Sequence, residues 1–420
     1  MAGFGVWLRG LFGGEEEQRP NQWVPSPPVR TDKLDSIAEE NNDFALALYA
    51  NLRQRPGNLL FSPFSIRTAL CMAQAGAKGE TRAQMRNVLR MSSVPESSHD
   101  TFAEIVQRLN SAQASKYEMM VANSLWGHDG APLLPEFVDV IARDYGGAMN
   151  LVDFRGDSDA ARLAINQWVE DKTREKIRQL IPSGGLNEDT RLVLVNAVYF
   201  KGKWVLPFDK EFTSDEPFHL EGGGTVLAPL MHQHEDVRYL QGKGFQAVDL
   251  VYQGYDVSML LILPAKIDGL PELEKKLSER MLRDCVARMK TREVELFVPR
   301  FKITWGTVNL CDLLIALGMP LAFDQTQADF SGINGHEPPD LDALFISSVF
   351  HKSFVEVNEV GTEAAAATAI GFTSMAAMCY EPPPVPIFRA DHPFLYAIRE
   401  RKSGAILFLG RMTNPTSTTY

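Results

Sequence analysis

Residues 359–379 read EVGTEAAAATAIGFTSMAAMC, and this stretch decides how the rest of the chain is interpreted. The alternating run HKSFVEVN at 351–358 precedes it and predicts a strand. The run EPPPVP at 381–386 follows it and interrupts regular structure, because proline fixes φ and lacks a backbone N–H. Residues 361–377, between these runs, contain no proline and one charge, Glu363. The stretch therefore has room for an element of its own.

Two structures suit residues 361–377. The alanines favour an exposed helix. An extended chain would instead present two faces, because side chains alternate along a strand. One face would hold Thr362, Ala364, Ala366, Thr368, Ile370 and Phe372, and the other Glu363, Ala365, Ala367, Ala369, Gly371 and Thr373. Such a segment could be buried on one face and become the middle strand of a sheet. The stretch alone leaves both alternatives open.

The string EVGTEAAAAT at 359–368 closely resembles the hinge of the reactive-centre loop in inhibitory serpins, a family of serine protease inhibitors. The resemblance continues along the chain in the expected order, over about residues 35–416. The strings that carry it are NLLFSPFSI at 58–66, KGKWVLPFDKEFT at 201–213, VELFVPRFKI at 294–303 and HPFLYAIRERKSGAILFLGRMTNP at 392–415. The order of these strings makes the resemblance more specific than any one motif.

The resemblance implies an α+β serpin fold, with a single large domain, three β-sheets, about eight or nine helices and an exposed reactive-centre loop at about 359–386. We accordingly expect a disordered leader at 1–32, a serpin domain at 33–416 and a tail at 417–420. Hydrophobic periodicity predicts the elements of the domain. These include helices at 37–52, 99–109, 160–173 and 270–289, and strands at 190–200 and 294–303, the second with a Pro-Arg interruption.

Composition limits the partners and the compartment. The formal charge of −11 disfavours binding to nucleic acid or to an anionic membrane surface. The four cysteines are scattered, show no metal-binding spacing and suit a protein without disulfides. The apolar start of the chain is interrupted by Arg9 and lacks a clear cleavage site, so we see no cleavable signal peptide. We expect a cytoplasmic protein, with extracellular action after leaderless release as the alternative.

The resemblance also implies a mechanism, in which a serine protease attacks the loop and the freed hinge inserts into the main sheet as a new strand. It assigns the hinge to Glu359, Gly361, Thr362, Glu363, Ala364, Ala365, Ala366, Ala367 and Thr368. Thr362 would enter the sheet first, and the alanines would follow at little steric cost. It assigns the region where the sheet opens to Ser62, Ser65, Asn196, Trp204 and His351. There, His351 would pair with Asn196 and hold the sheet closed.

The usual position of the scissile bond in inhibitory serpins, counted from the residue matching Glu359, nominates the bond between Met375 and Ala376. The segment that follows is longer than in compact members of the family, which leaves other bonds open. The alternatives to Met375 are Phe372, Met378 and Tyr380. All are uncharged, which favours elastase-, chymotrypsin- or subtilisin-like targets over trypsin-like ones.

No catalytic or cofactor motif appears in the sequence. A phosphate loop, a nucleophile elbow and an HExxH helix are all missing, so we predict no enzymatic activity and no cofactor. The run MHQHED offers His232, His234, Glu235 and Asp236, but two histidines without a fixed third ligand make a weak metal site, and we interpret it as a solvated strand edge.

The predicted helix at 99–109 holds one basic residue, Arg108, so we expect no heparin-type cofactor. The expected partner is a serine protease bound covalently to a monomer. A non-inhibitory serpin that acts as a binding or chaperone module, and an inhibitor of cysteine proteases, remain the alternatives.

Overall fold

The strands in the described part of the chain form two sheets. In a computed structural model of the chain, residues 32–91, 117–129, 132–361 and 384–417 are described, which leaves the predicted helix at 99–109 and residues 1–31 of the predicted leader outside the described residues. The five-stranded sheet consists, in spatial order, of β10 (Phe301–Asn309), β11 (Ile346–Val357), β4 (Leu192–Gly202), β2 (Tyr117–His128) and β3 (Ala148–Val152).

The nine-stranded sheet consists, in spatial order, of β1 (Leu59–Phe61), β14 (Ile406–Met412), β13 (Phe394–Glu400), β8 (Val257–Pro264), β7 (Phe245–Val251), β6 (Thr225–Gly242), β9 (Lys290–Pro299) and β12 (Ile387–Arg389), with β5 (Ser214–His219) also paired to β6. The prediction of three sheets treats the two halves of this sheet as separate. The long strand β6 joins the halves, because it pairs with β5 and β9 along one part of its length and with β7 near its end.

Nine α-helices lie in the described part of the chain. They are α1 (Asp32–Leu52), α2 (Pro63–Gly76), α3 (Gly79–Val88), α4 (Pro135–Tyr145), α5 (Ser158–Lys172), α6 (Leu270–Lys276), α7 (Glu279–Arg288), α8 (Cys311–Leu317) and α9 (Ser331–Asn334). The α+β architecture expected from the sequence is confirmed. Among the described residues, no helix is both long and apolar enough to span a bilayer.

Strand β4 is apolar on both faces because each face is covered. Val193, Val195, Ala197 and Tyr199 pack in one buried cluster with Ile165 and Val169 of α5. Leu192, Leu194, Val198 and Phe200 point the other way and join the main core. Helix α2 lies on this second side, in contact with β4 and β2 and also with β14 of the other sheet. This burial on both faces explains the near-continuous apolar run that predicted the strand.

Two predicted elements were each wrong in extent. The interruption expected at Pro299-Arg300 in the strand at 294–303 is present, but it divides the segment into two strands, β9 and β10, which belong to different sheets. The backbone N–H of Arg300 donates to Pro229 O at 2.8 Å, outside the ladder of β10. The helix expected at 270–289 is two helices, α6 and α7, because Ser278 is extended and its side chain caps α7 by accepting from Met281 N.

Candidate functional site

The centre of the five-stranded sheet is a seam between two parallel strands, β4 and β11. Antiparallel strands flank the seam, β2 beside β4 and β10 beside β11. His351 lies directly opposite Asn196 across the seam. Strand β11 then runs straight into the hinge predicted from the sequence. The seam is therefore the place where the loop is joined to the sheet.

A buried polar network crosses the seam. His351 is fully buried, and its Nδ1 is hydrogen-bonded to Asn196 Oδ1. On the other side of the ring, Nε2 accepts the backbone N–H of Ser62 at 3.2 Å. An imidazole nitrogen that accepts an N–H carries no proton, so the proton of the neutral ring lies on Nδ1. The ring thus connects β11 to β4 and to the start of α2.

Asn196 extends the network beneath the sheet. Its Nδ2 donates to Ser65 Oγ at 2.5 Å and to Asn123 Oδ1. Ser65 Oγ in turn donates to Asn123 Oδ1 at 2.9 Å. Asn123 belongs to β2 and is in register with Asn196, so three strands and one helix meet at this point. Sequence reasoning missed Asn123.

The start of α2 brings the two serines under the seam. Ser62 is extended and caps the helix, accepting the N–H of Ser65 on its side-chain oxygen, and Pro63 occupies the first helical position. The Ser62 hydroxyl also donates to Leu407 O at 2.7 Å, which ties the cap to β14. The cap geometry therefore fixes Ser62 and Ser65 one turn apart, with one facing His351 and the other facing Asn196.

His351 is held neutral by its surroundings. Burial lowers the pKa of this imidazole from its ordinary value of 6.5 to about 3. A second proton would have to lie on Nε2, where it would face the N–H of Ser62 instead of accepting from it. The network is consistent with one protonation state only.

A turn at residues 358–361 closes the top of the seam. The Gly361 N–H donates to Asn358 O at 3.0 Å, so the chain reverses directly after β11. Trp204, two residues beyond β4, donates its backbone N–H to Val360 O at 3.0 Å and its indole Nε1–H to Asn358 O at 2.9 Å. The indole is buried and stacks on Tyr252 with ring centroids 4.3 Å apart.

Gly361 fits this turn because it has no side chain. Its φ is +99°, in the region that L side chains rarely adopt. A Cβ at this position would lie 2.5 Å from Trp204 N and 2.5 Å from the Cα of Lys203. The backbone of the turn and the backbone after β4 are therefore in direct contact.

Glu359 anchors the same turn from inside the protein. Its side chain is 4% exposed. Its Oε1 accepts from Thr213 Oγ1 at 3.0 Å and lies 3.3 Å from Nη1 of Arg300, and its carbonyl accepts the N–H of Phe208 at 2.7 Å. The sequence did not identify Thr213 or Arg300 as partners, although Arg300 interrupts a strand at the predicted position.

The structure thus brings together Ser62, Ser65, Asn196 and His351, and places Trp204 with Glu359 and Gly361 at the top of the seam. The hinge residues Thr362, Glu363, Ala364, Ala365, Ala366, Ala367 and Thr368 lie outside the described residues. So do Met375 and Ala376, and the alternatives Phe372, Met378 and Tyr380. Their predicted roles stay predictions.

The histidines of the MHQHED run face carboxylates on the neighbouring strand. His232 Nε2 lies 3.4 Å from Glu295 Oε1, and His234 Nε2 lies 3.2 Å from Glu293 Oε1. Strand β5 pairs with β6 only as far as Leu230, and β7 pairs only from Arg238 onward. This part of β6 is therefore paired with β9 on one side, as expected for a solvated strand edge.

Comparison with known proteins agrees with this architecture. The chain matches the family described as Serpin (serine protease inhibitor) over residues 39–415. Human leukocyte elastase inhibitor is 38% identical over 392 residues, which cover 91% of this chain and 100% of that protein. An uncharacterized serpin-like protein of Thermococcus kodakarensis is 37% identical over 425 residues, covering 98% of this chain and 96% of that protein.

Solved structures give the same result. Human thyroxine-binding globulin in complex with thyroxine superposes with a TM-score of 0.81 at 30% identity, over 92% of this chain and 100% of that one. Mouse protein-Z dependent protease inhibitor superposes with a TM-score of 0.79 at 27% identity, over 91% of this chain and 98% of that one. With the family match spanning most of the chain, we conclude that the chain belongs to the serpin family.

Proposed function

We propose that this serpin is a suicide-substrate inhibitor of serine endopeptidases, which traps the acyl-enzyme by inserting its cleaved reactive-centre loop between β4 and β11. Its similarity to leukocyte elastase inhibitors supports protease inhibition in general. The observation that carries the finer proposal is the parallel seam itself, with the loop joined to one of its two strands through a preformed turn.

The direction of the seam strands favours insertion. Because the chain reverses at residues 358–361, a loop that entered the seam would run antiparallel to β11. It would also run antiparallel to β4, since β4 and β11 are parallel. Entry of that segment would replace one parallel ladder by two antiparallel ladders, which are slightly more stable per residue. Loop insertion in serpins is an established example of the addition of a strand to a sheet, and of the release of stored strain after cleavage.

The covalent step would use the chemistry of the protease. The serine Oγ of the protease attacks the carbonyl carbon of Met375, and its hydroxyl proton passes to the protease histidine. The bond between Met375 C and Ala376 N then breaks, and the histidine gives that proton to the leaving amine of Ala376. An ester joins the protease to Met375. Insertion before hydrolysis of the ester would carry the protease with the loop and distort its active site.

The free energy released by insertion would be large enough to distort the active site of the protease. The seam has nine register pairs, from Ile346 opposite Leu192 to Val355 opposite Phe200. One additional ladder of that length, at about 1 kcal/mol for each hydrogen bond, contributes on the order of 10 kcal/mol. The intact protein would then be a kinetically trapped form, whose persistence is a rate and not an equilibrium.

The proposed targets are elastase-, chymotrypsin- or subtilisin-like, because the residues nominated before the scissile bond are uncharged. We propose that the inhibitor acts as a monomer and forms a covalent one-to-one complex with the protease.

The test is to incubate the full chain with proteases of these three classes and with a trypsin-like enzyme as control. Denaturing gels and mass spectrometry should show an adduct with at least one of the three and no adduct with the control, because residues 362–386 contain no lysine or arginine. N-terminal sequencing of the released fragment should begin at Ala376. Cleavage by all three classes without any adduct would overturn the proposal.

A binding module is the second candidate, and the similarity to thyroxine-binding globulin in complex with thyroxine favours it. The two functions differ in their requirement for insertion. An inhibitor of this kind must convert to a more stable form when its loop is cut, whereas a carrier has no such requirement. A cysteine protease that gives an adduct in the same gel assay would instead identify cross-class inhibition.

A further inference from the structure

A small group of metal-ligating side chains lies far along the chain from the hinge, where β2 and β3 end. These strands are parallel, and His128, the last residue of β2, is in register with Val152, the last residue of β3. Asp129 and Asp153 are therefore the first residues beyond two neighbouring strands. The carboxyl ends of parallel strands meet at one edge of a sheet, which brings the three side chains together.

The three ligand atoms converge. One nitrogen of His128 and one oxygen each of Asp129 and Asp153 all lie within 4.8 Å of one another. His128 Nδ1 is 3.8 Å from Asp129 Oδ1, too far for a hydrogen bond. Ligand atoms on a tetrahedral zinc ion, with bonds of about 2.1 Å, are about 3.4 Å apart. Both carboxylates are exposed, so rotation of their side chains can close the remaining distance.

His128 provides an independent reason to expect a ligand. Its side chain is only 8% exposed, yet its Nδ1 is buried without a hydrogen-bond partner in the described part of the chain. A buried polar atom without a partner costs free energy that a hydrogen bond or a metal normally offsets. The nitrogen lies on the side of the ring next to Asp129, so a cation between them would satisfy it.

The carboxylates are also available. Within the described ranges neither forms an ion pair with lysine or arginine, and Asp153 makes one hydrogen bond, from Gly156 N to its Oδ1 at 2.7 Å. The nearby Arg155 is directed elsewhere, to Leu341 O at 3.2 Å and to Asp342 at 3.7 Å. Two carboxylates without a basic partner leave a local negative charge that attracts a cation.

The backbone holds the site in place. The His128 N–H donates to Arg191 O at 2.9 Å, and the Asp129 N–H donates to Val152 O at 3.2 Å. The turn at Gly156 fixes Asp153, which is followed in the chain by the fully buried Phe154. The ligands are therefore supplied by a sheet edge and a fixed turn.

We propose that His128, Asp129 and Asp153 bind a divalent transition-metal ion, with zinc as the preferred cation. One imidazole with two carboxylates suits zinc, whereas magnesium and calcium prefer oxygen ligands alone. The bound ion would connect the end of β2 to the segment that leads from β3 into α5, and would leave a position for water.

A second cluster in the described residues serves as the internal comparison. His336, Asp340 and Asp342 also converge, but His336 Nδ1 already pairs with Asp340 Oδ2 at 2.9 Å. That cluster is partly exposed, and no buried nitrogen without a hydrogen-bond partner lies within it. His336→Gln is therefore the matched control for His128→Gln.

The test is a competition titration of the full chain with zinc chloride at neutral pH. The wild type and His336→Gln should bind one zinc ion with equal affinity, and magnesium should not displace it. His128→Gln should lose about tenfold or more in affinity, since even partners outside the ligand shell contribute that much. Asp153→Asn, an exposed substitution that should not disturb folding, should have the same effect.

A second measurement follows from linkage, because an ion that binds only the folded form raises the melting temperature. Zinc should raise the melting temperature of the wild type and of His336→Gln, but not that of His128→Gln or Asp153→Asn. Absence of zinc binding in the wild type, or undiminished binding in both His128→Gln and Asp153→Asn, would overturn the proposal.

Discussion

At the residue scale, the closed seam depends on a neutral His351, because Nε2 must accept the N–H of Ser62 while Nδ1 donates to Asn196. The network has no solvent to replace a lost partner, since Asn196 and His351 are both fully buried. Insertion of a strand between β4 and β11 must separate these two residues. The same contacts that stabilise the intact protein would therefore oppose the proposed insertion.

The first prediction concerns pH. The pKa of His351 is about 3 in the folded protein, below its ordinary value of 6.5. Between these values the unfolded chain binds the proton more readily, so the free energy of unfolding falls as the pH drops from about 6.5 towards 3 and is unaffected above that range. Denaturant unfolding of the wild type and of His351→Gln across this range should show a weaker pH dependence in the variant. An identical dependence would contradict the assignment.

The second prediction concerns Asn196→Ala. The substitution removes the partner of His351 Nδ1–H and one donor to the Ser65 hydroxyl, and each buried group left unpaired costs about 1–3 kcal/mol. We expect a lower melting temperature of the intact protein and faster conversion to a loop-inserted form. Asn51→Ala is the matched control, because Asn51 is exposed and its side chain, among the described residues, bonds only to Ala47 O of its own helix. Equal melting temperatures for the two variants would be inconsistent with the proposed role of Asn196 and His351 in holding the sheet closed.

Sequence reasoning at this scale reached Asn196 and His351 through the resemblance, but not Asn123. The contact between Asn123 and Ser65 joins residues 58 positions apart. It depends on the register of β2 against β4, which the order of residues does not reveal. The signal available in the sequence was Asn123 itself, an asparagine within a largely apolar strand.

At the scale of elements, the turn at residues 358–361 is held by backbone contacts from Trp204 and Phe208, which lie just beyond β4. The strand, the turn and the segment after β4 therefore act as one unit. Any side chain at Gly361 would disturb this unit at the place where the proposed insertion would begin.

The third prediction is that Gly361→Ala destabilises the intact protein by about 2–4 kcal/mol, because an unfavourable φ is combined with overpacking against backbone atoms. Gly184→Ala separates the two causes. Its φ is +75°, but no atom lies within 4 Å of a Cβ built there, so only the backbone cost of about 1 kcal/mol should remain. Melting temperatures of both variants provide the comparison, and equal shifts would refute the close contact.

The elements show where sequence patterns stop being informative. The interruption at Pro299-Arg300 was visible in the sequence, and the buried positions change there from Val294, Leu296 and Val298 to Phe301 and Ile303. The pattern could not show that the two halves belong to different sheets, because each half alternates like an ordinary strand. The break between α6 and α7 was detectable, because Ser278 is a favourable residue for the start of a helix. The strands β4 and β11 were predicted well because burial on both faces and regular alternation are strong local signals.

At the scale of the whole molecule, the proposed mechanism requires that the intact fold is not the most stable one. The five-stranded sheet has a parallel seam that a sixth strand would convert to antiparallel pairing. The length of chain between the turn and the predicted scissile bond is sufficient to span the seam.

The fourth prediction is that Thr362→Arg changes the inhibitor into a substrate. A charged side chain at the first inserting position would have to be buried, which is costly without a partner. The protease should still cut the loop, and the covalent adduct should decrease while cleaved protein increases. Glu363→Arg is the control, because alternation places that residue on the opposite face. Unchanged adduct formation by Thr362→Arg would contradict insertion.

The most direct test of the account is the melting temperature of the protein before and after the loop is cut within residues 362–380. Insertion worth on the order of 10 kcal/mol should raise the melting temperature by about 10 °C or more. Sequencing of the new N-terminus would confirm the cut. A large rise is the result that the account predicts, and a cut protein that melts at the same temperature as the intact one would contradict it.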